Sequence, residues 1–282
     1  MNIWSKKTQT WNGFAALLFA TSVCFACLLL HIAGSYGPDF TIRLSVLQLT
    51  VDTRFLLITA ATLLPAAYCF MYYPDCRSSL WKVRAEWWVY SVAALTGLVI
   101  PLSSYFGTHY YAFPWGRSVA AHLAKVFAFN FFLAPFWEEI VWRGCFLKKI
   151  RSFSSTPVGI ALMAVGWTVW HGGYLAFLHS EGIGIEELTV LPFTYFCLGI
   201  ILGSVFELAR GSLWPCVTLH ATFNASTAVY YSQYDRASEL SSYVSELVFA
   251  AIAAIVFLLI ATRRTRERST PLTRLPSLAD QG

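Results

Sequence analysis

Apolar residues gather along the chain in eight long blocks, set apart by polar, charge-bearing segments. The blocks cover 11–32, 55–73, 87–106, 128–147, 158–178, 188–208, 212–231 and 244–261. A helix needs about 20 mainly apolar residues to cross the hydrocarbon core of a bilayer. The pattern therefore predicts an all-α, polytopic membrane bundle of about eight transmembrane helices. A more polar stretch, 118–127, precedes the fourth block and carries His122 and Lys125. It reads as an outer extension of the same helix, with Pro135 marking a kink.

The basic residues test this count independently. With the N-terminus placed in the cytoplasm, 15 of the 20 Lys and Arg residues fall on inside segments. Arg43, Arg54, Arg117 and Arg236 fall outside, and Lys125 lies near the outer start of span four. That bias follows the positive-inside rule for eight spans with both termini cytoplasmic. The first apolar run is too long for a signal-peptide core of about 7–15 residues, so it reads as a retained span. The expected organisation is a single membrane domain over residues 1–268, with a short polar cytoplasmic tail over 269–282.

Composition agrees. The chain of 282 residues is 57% hydrophobic and 12% charged, with a mean hydropathy of +0.56. A soluble domain carries about 25% charged residues, so a soluble globule, a disordered chain and a coiled coil are all excluded. The net charge of +5 points to a lipid bilayer rather than to nucleic acid, because the basic residues sit at the ends of the spans. Most of the seven cysteines lie inside predicted spans, where Cys behaves as a small hydrophobe. Cys24 and Cys27 have CxxC spacing, but no second ligand pair accompanies them.

Ionisable residues within spans are costly, and functional by default. Glu138 and Glu139 lie ten and nine residues before Lys148. At 1.5 Å per residue that puts Glu138 about 15 Å from the cytoplasmic interface, at mid-membrane. Glu139 and Arg143 are four apart and can pair along one helix face. Glu138 points about 100° away and has no partner on its own helix. His171 lies in span five, and His220 and Asn224 share a face of span seven. Hydrolysing a peptide bond needs a base for water, a proton for the leaving amine and donors for the oxyanion. Glu138 suits the base, His171 suits water orientation, and His220 with Asn224 suit the oxyanion. No GxSxG, Ser–His pair or paired-Asp pattern is present.

The motifs Glu138-Glu139-x-x-x-Arg143, Trp167-x-x-x-His171 and His220-x-x-x-Asn224 resemble the EExxxR, FxxxH and HxxxN/D pattern of the CPBP family. That family comprises type II CAAX prenyl endopeptidases and bacterial relatives. The run Gly211-Ser212-Leu213-Trp214-Pro215 is similar to it as well, and the resemblance covers about 120–230. It implies an eight-helix intramembrane endopeptidase of glutamate type. Glu138 then matches the water-activating Glu, Glu139 the second acid, Arg143 the motif Arg, His171 the water-orienting His, and His220 with Asn224 the oxyanion pair. Trp167 stands where the family usually has Phe, which implies an altered pocket shape rather than lost chemistry.

The implied substrate is a membrane-anchored protein or peptide cut near its C-terminus, and the implied setting is a bacterial plasma membrane. No cofactor or metal is expected. His171, His220 and Glu138 could in principle form a His₂Glu zinc site, but the HExxH spacing is absent and Asn224 suits an oxyanion role better. A zinc metalloprotease is one alternative. A proton-coupled transporter is the other, although the chain lacks the internal symmetry that transporters commonly show.

Overall fold

The computed structural model describes residues 41–44, 49–83, 85–104, 117–132, 134–180, 183–233 and 240–269. The first apolar block, the tail after 269 and most of the outer loops lie outside these residues. Two short strands, β1 (Thr41–Leu44) and β2 (Leu49–Asp52), pair antiparallel, with Thr41 opposite Asp52 and Leu44 opposite Leu49. This small hairpin, in a segment expected to be an outer loop, leads into an otherwise helical bundle.

The helices are α1 (Thr53–Tyr72), α2 (Pro74–Trp81), α3 (Trp87–Leu102), α4 (Arg117–Phe132) and α5 (Ala134–Glu139). A π-helix over Ile140–Leu147 continues α5 and passes into α6 (Lys148–Arg151). Then come α7 (Thr156–Trp170), α8 (Gly172–Ser180), α9 (Ile185–Leu208), α10 (Trp214–Gln233) and α11 (Leu240–Ser269). Among the described residues, three helical runs are long and apolar enough to cross a membrane, Val119–Arg151, Ile185–Leu208 and Leu240–Arg268. Trp87–Leu102 and Thr156–Trp170 are shorter apolar helices. The all-α membrane architecture expected from the sequence is borne out.

Side-chain exposure carries the same message. On α7, Ile160, Met163, Ala164 and Trp167 are buried, while Val158, Leu162, Val165 and Val169 form an exposed apolar face. On α11, Ala250, Ala254 and Ala261 face inward, and Ile252, Ile255 and Leu259 face outward. Soluble monomers rarely present apolar patches of this extent. Faces of this kind suit a bundle that spans a membrane.

Two packings position the rest. α9 lies between α7 and α11, and α10 packs on α3 and α4. The α9–α7 approach rests on Gly199 and Gly203, spaced as GxxxG. A Cβ at Gly199 would lie 2.9 Å from Ala164 Cβ, and one at Gly203 would lie 2.9 Å from Met163 Cε. Small residues at that spacing let two membrane helices come close enough for van der Waals attraction to hold them.

The fifth block departs from expectation. It reads in sequence as one span, but α7 stops at Trp170 and α8 begins at Gly172, with His171 between them. His171 N–H donates to the carbonyls of Trp167 (3.2 Å) and Thr168 (3.0 Å), closing the last turn. Gly172 and Gly173 follow, and their low helix propensity lets the chain break there.

Candidate active site

Three elements supply the site. The end of α5 and the start of the π-helix carry Glu138, Glu139 and Arg143. The end of α7 carries Trp167 and His171, and α10 carries His220 and Asn224. A π turn widens the helix and re-aims its side chains, and such turns recur at functional sites.

Glu139 is fully buried and is shared. Arg143 Nη1 donates to its Oε1 at 2.9 Å, and His220 Nδ1 meets the same oxygen at 2.9 Å. A carboxylate only accepts, so the His220 proton at this contact sits on Nδ1. Glu139 thus binds the π-helix to α10. Arg143 is also fully buried, and its guanidinium carbon lies 4.8 Å from the Trp167 ring centroid. Its Nε and Nη2, like Glu139 Oε2, have no hydrogen-bond partner among the described residues.

Glu138 is 3% exposed. Its partner comes from α7: Trp167 Nε1–H donates to Oε2 at 3.1 Å. Among the described residues Oε1 is left without a hydrogen bond. Adjacent in sequence, the two carboxylates therefore have different surroundings. Glu139 is held by two cationic or protonated partners, and Glu138 by one neutral N–H.

His171 is half-buried. Its Nδ1 lies 2.8 Å from the Trp167 carbonyl, which can only accept. The proton is therefore on Nδ1, and a neutral ring presents a lone pair at Nε2. Its ring is edge-on to Trp167 (centroids 4.3 Å apart) and to Trp170 (5.0 Å), and tilted 35° against Tyr195 at 4.7 Å. His220 is edge-on to Trp167 at 5.5 Å. Asn224 lies one turn beyond His220 on α10, half-buried, with its amide unpaired among the described residues.

The structure thus gathers Glu138, Glu139, Arg143, His171 and His220 around Trp167, and it places Asn224 on the same helix face as His220. Trp167 and Tyr195 are the participants that sequence reading undervalued. Trp167 stands in a motif, but its N–H bond to Glu138 crosses between helices. Tyr195 carries no motif signal at all. Among the described residues, no group of three His, Cys, Asp or Glu is arranged to hold a metal ion.

The other ionisable residues are dispersed. His122 is half-buried and Lys125 exposed, and His179 is exposed with Nδ1 3.3 Å from the Ile183 carbonyl. Glu207 pairs with Arg151 at 3.1 Å. Glu246, expected near the outer start of span eight, is buried and accepts from Ser104 Oγ at 3.2 Å. Glu86, just before α3, faces Arg210 at 3.3 Å and Arg264 at 3.8 Å. The Trp88 indole N–H and then the two guanidinium charges hold its carboxyl below the ordinary carboxylate range.

No individually curated protein matches the chain. Residues 120–226 match the family described as type II CAAX prenyl endopeptidase Rce1-like. That stretch runs from α4 to α10 and holds all three motifs, so this core of the chain is similar to the Rce1-like type II CAAX prenyl endopeptidases, a family of peptidases.

Proposed function

We propose that the chain is an intramembrane endopeptidase of glutamate type, which hydrolyses a peptide bond near the C-terminus of a membrane-anchored protein or peptide. The observation that carries this reading is the unlike treatment of two neighbouring buried carboxylates. Glu139 is paired at Oε1 with both Arg143 and His220, its Oε2 fully buried, whereas Glu138 meets only the neutral Trp167 N–H at Oε2 and has no charged partner bonded to it among the described residues.

A water between Glu138 Oε1 and His171 Nε2 directs one hydrogen to each. Both atoms are acceptors in the forms assigned above, so the water's lone pair is left for the scissile carbonyl carbon. Glu138 takes the proton as that bond forms, then delivers it to the leaving amine as the C–N bond breaks. The developing oxyanion needs preorganised donors. The Asn224 amide supplies one. His220 supplies the other only when Nε2 also carries a proton, and Glu139 at Nδ1 provides the counter-charge for that form.

The proposed setting is a bacterial plasma membrane, with both termini cytoplasmic. Peptides or protein tails anchored in that membrane are the proposed substrates. Mass spectrometry of membrane proteins from cells carrying the wild-type chain or Glu138→Gln tests this. Shortened C-termini should appear with the wild type alone, and identical profiles would dismiss the substrate class.

A further inference from the structure

We propose that Trp167 is a positioning residue in this reaction. Its indole N–H fixes the Glu138 carboxylate so that Oε2 is held and Oε1 is presented to the water. The proposal rests on the reading of Glu138 as the base.

One side chain touches four of the six site residues. Trp167 is 1% exposed, its Nε1 bonds Glu138 at 3.1 Å, and its ring face lies 4.8 Å from the Arg143 guanidinium. Its ring is roughly perpendicular to His171, with centroids 4.3 Å apart, and to His220 at 5.5 Å, while its carbonyl accepts a hydrogen bond from His171 Nδ1–H at 2.8 Å. The ring is itself fixed from α9, where Gly199 leaves room for it: a Cβ there would lie 3.3 Å from Trp167 Cε3. Tyr195 closes another side, with ring centroids 6.3 Å apart.

The last torsion of a Glu side chain is soft and roughly two-fold, so a carboxylate has little preference of its own for which oxygen faces a substrate. A donor on a rigid, fully packed ring removes that freedom. The same ring orients His171 through the main chain of its own residue, so base and water-orienting group share one reference frame. A phenyl ring at this position would lose the donor together with part of the packing.

The test uses the purified full chain in lipid vesicles. Trp167→Phe removes the N–H with part of the ring. A second variant carries 3-benzothienylalanine at position 167, where sulfur replaces the N–H at nearly unchanged shape. Both should lower kcat by about 10- to 100-fold, the range for one hydrogen bond to a charged group, with KM held within about twofold. The Trp167 indole N–H resonance, assigned by its absence in Trp167→Phe, should move on Glu138→Ala. Wild-type kcat in the benzothienyl variant, or a resonance that does not move, would overturn the proposal. Wild-type turnover in Glu138→Gln would instead overturn the base assignment, and the resonance separates that case from loss of the N–H contact.

Discussion

At the scale of single residues, the account separates two adjacent acids. In the proposed mechanism Glu138 is the chemical one and Glu139 the architectural one, because Glu139 joins the π-helix to α10 through Arg143 and His220. Removing one partner of a buried ion pair strands the other, at a cost of about 3–5 kcal/mol. Arg143→Ala should therefore lower thermal stability in detergent by that order, and lose the cation–π contact with Trp167 as well. A well-folded, fully stable Arg143→Ala protein would show that Glu139 does not depend on the pair. Asn224→Ala should fold normally and bind substrate, but cleave about 10²–10³-fold more slowly, the usual effect of losing one oxyanion donor. Unchanged turnover would remove Asn224 from the site. The six residues were legible in the sequence because each is a polar group at a depth where polarity is costly. The Trp167 contact with Glu138 was not, because an indole N–H bonding across helices leaves no mark in spacing.

Helix scale is where hydropathy misleads. A block of apolar residues reports that a segment spans a bilayer, not which backbone hydrogen bonds it makes. The π-helix over Ile140–Leu147 and the break at His171 were therefore invisible to it, although the Gly172-Gly173 pair marks the break. The Gly199–Gly203 spacing was a second unread signal. Even one methyl at Gly199 must displace Ala164, whose Cα would lie 3.0 Å from it. Overpacking of this kind costs about 1–3 kcal/mol. Gly199→Ala should thus lower the unfolding temperature and, by shifting α7 and Trp167, slow cleavage too. A variant with wild-type melting and turnover would show that the close α7–α9 approach is dispensable.

Over the whole molecule, charged residues from separate segments gather at common ends. Glu86, Arg210 and Arg264 meet at one end of the bundle, and Arg151 joins Glu207 near the same end. Arg151, Arg210 and Arg264 were expected on inside segments from charge bias alone. Ser104 and Glu246, at the ends assigned outside, meet each other. Reporter fusions after residues 37, 78, 110, 152, 183 and 236 should read outside, inside, outside, inside, outside and outside. An inside signal at 236 would refute the count of eight spans. Exposed ion pairs at the inner rim contribute little to stability, so the burial of α9 between α7 and α11 carries more of the assembly.

The most direct test is cleavage of a membrane-anchored peptide by the purified chain, wild type beside Glu138→Gln, with and without a strong chelator held long enough to strip a partly exposed site. Glu138→Gln keeps the size of the side chain and the acceptor for Trp167 but removes the base. The account predicts cleavage by the wild type in chelator, and a loss of at least about 10²-fold in Glu138→Gln. Wild-type turnover in Glu138→Gln would contradict it, as would stoichiometric bound zinc with chelator-sensitive activity that zinc alone restores.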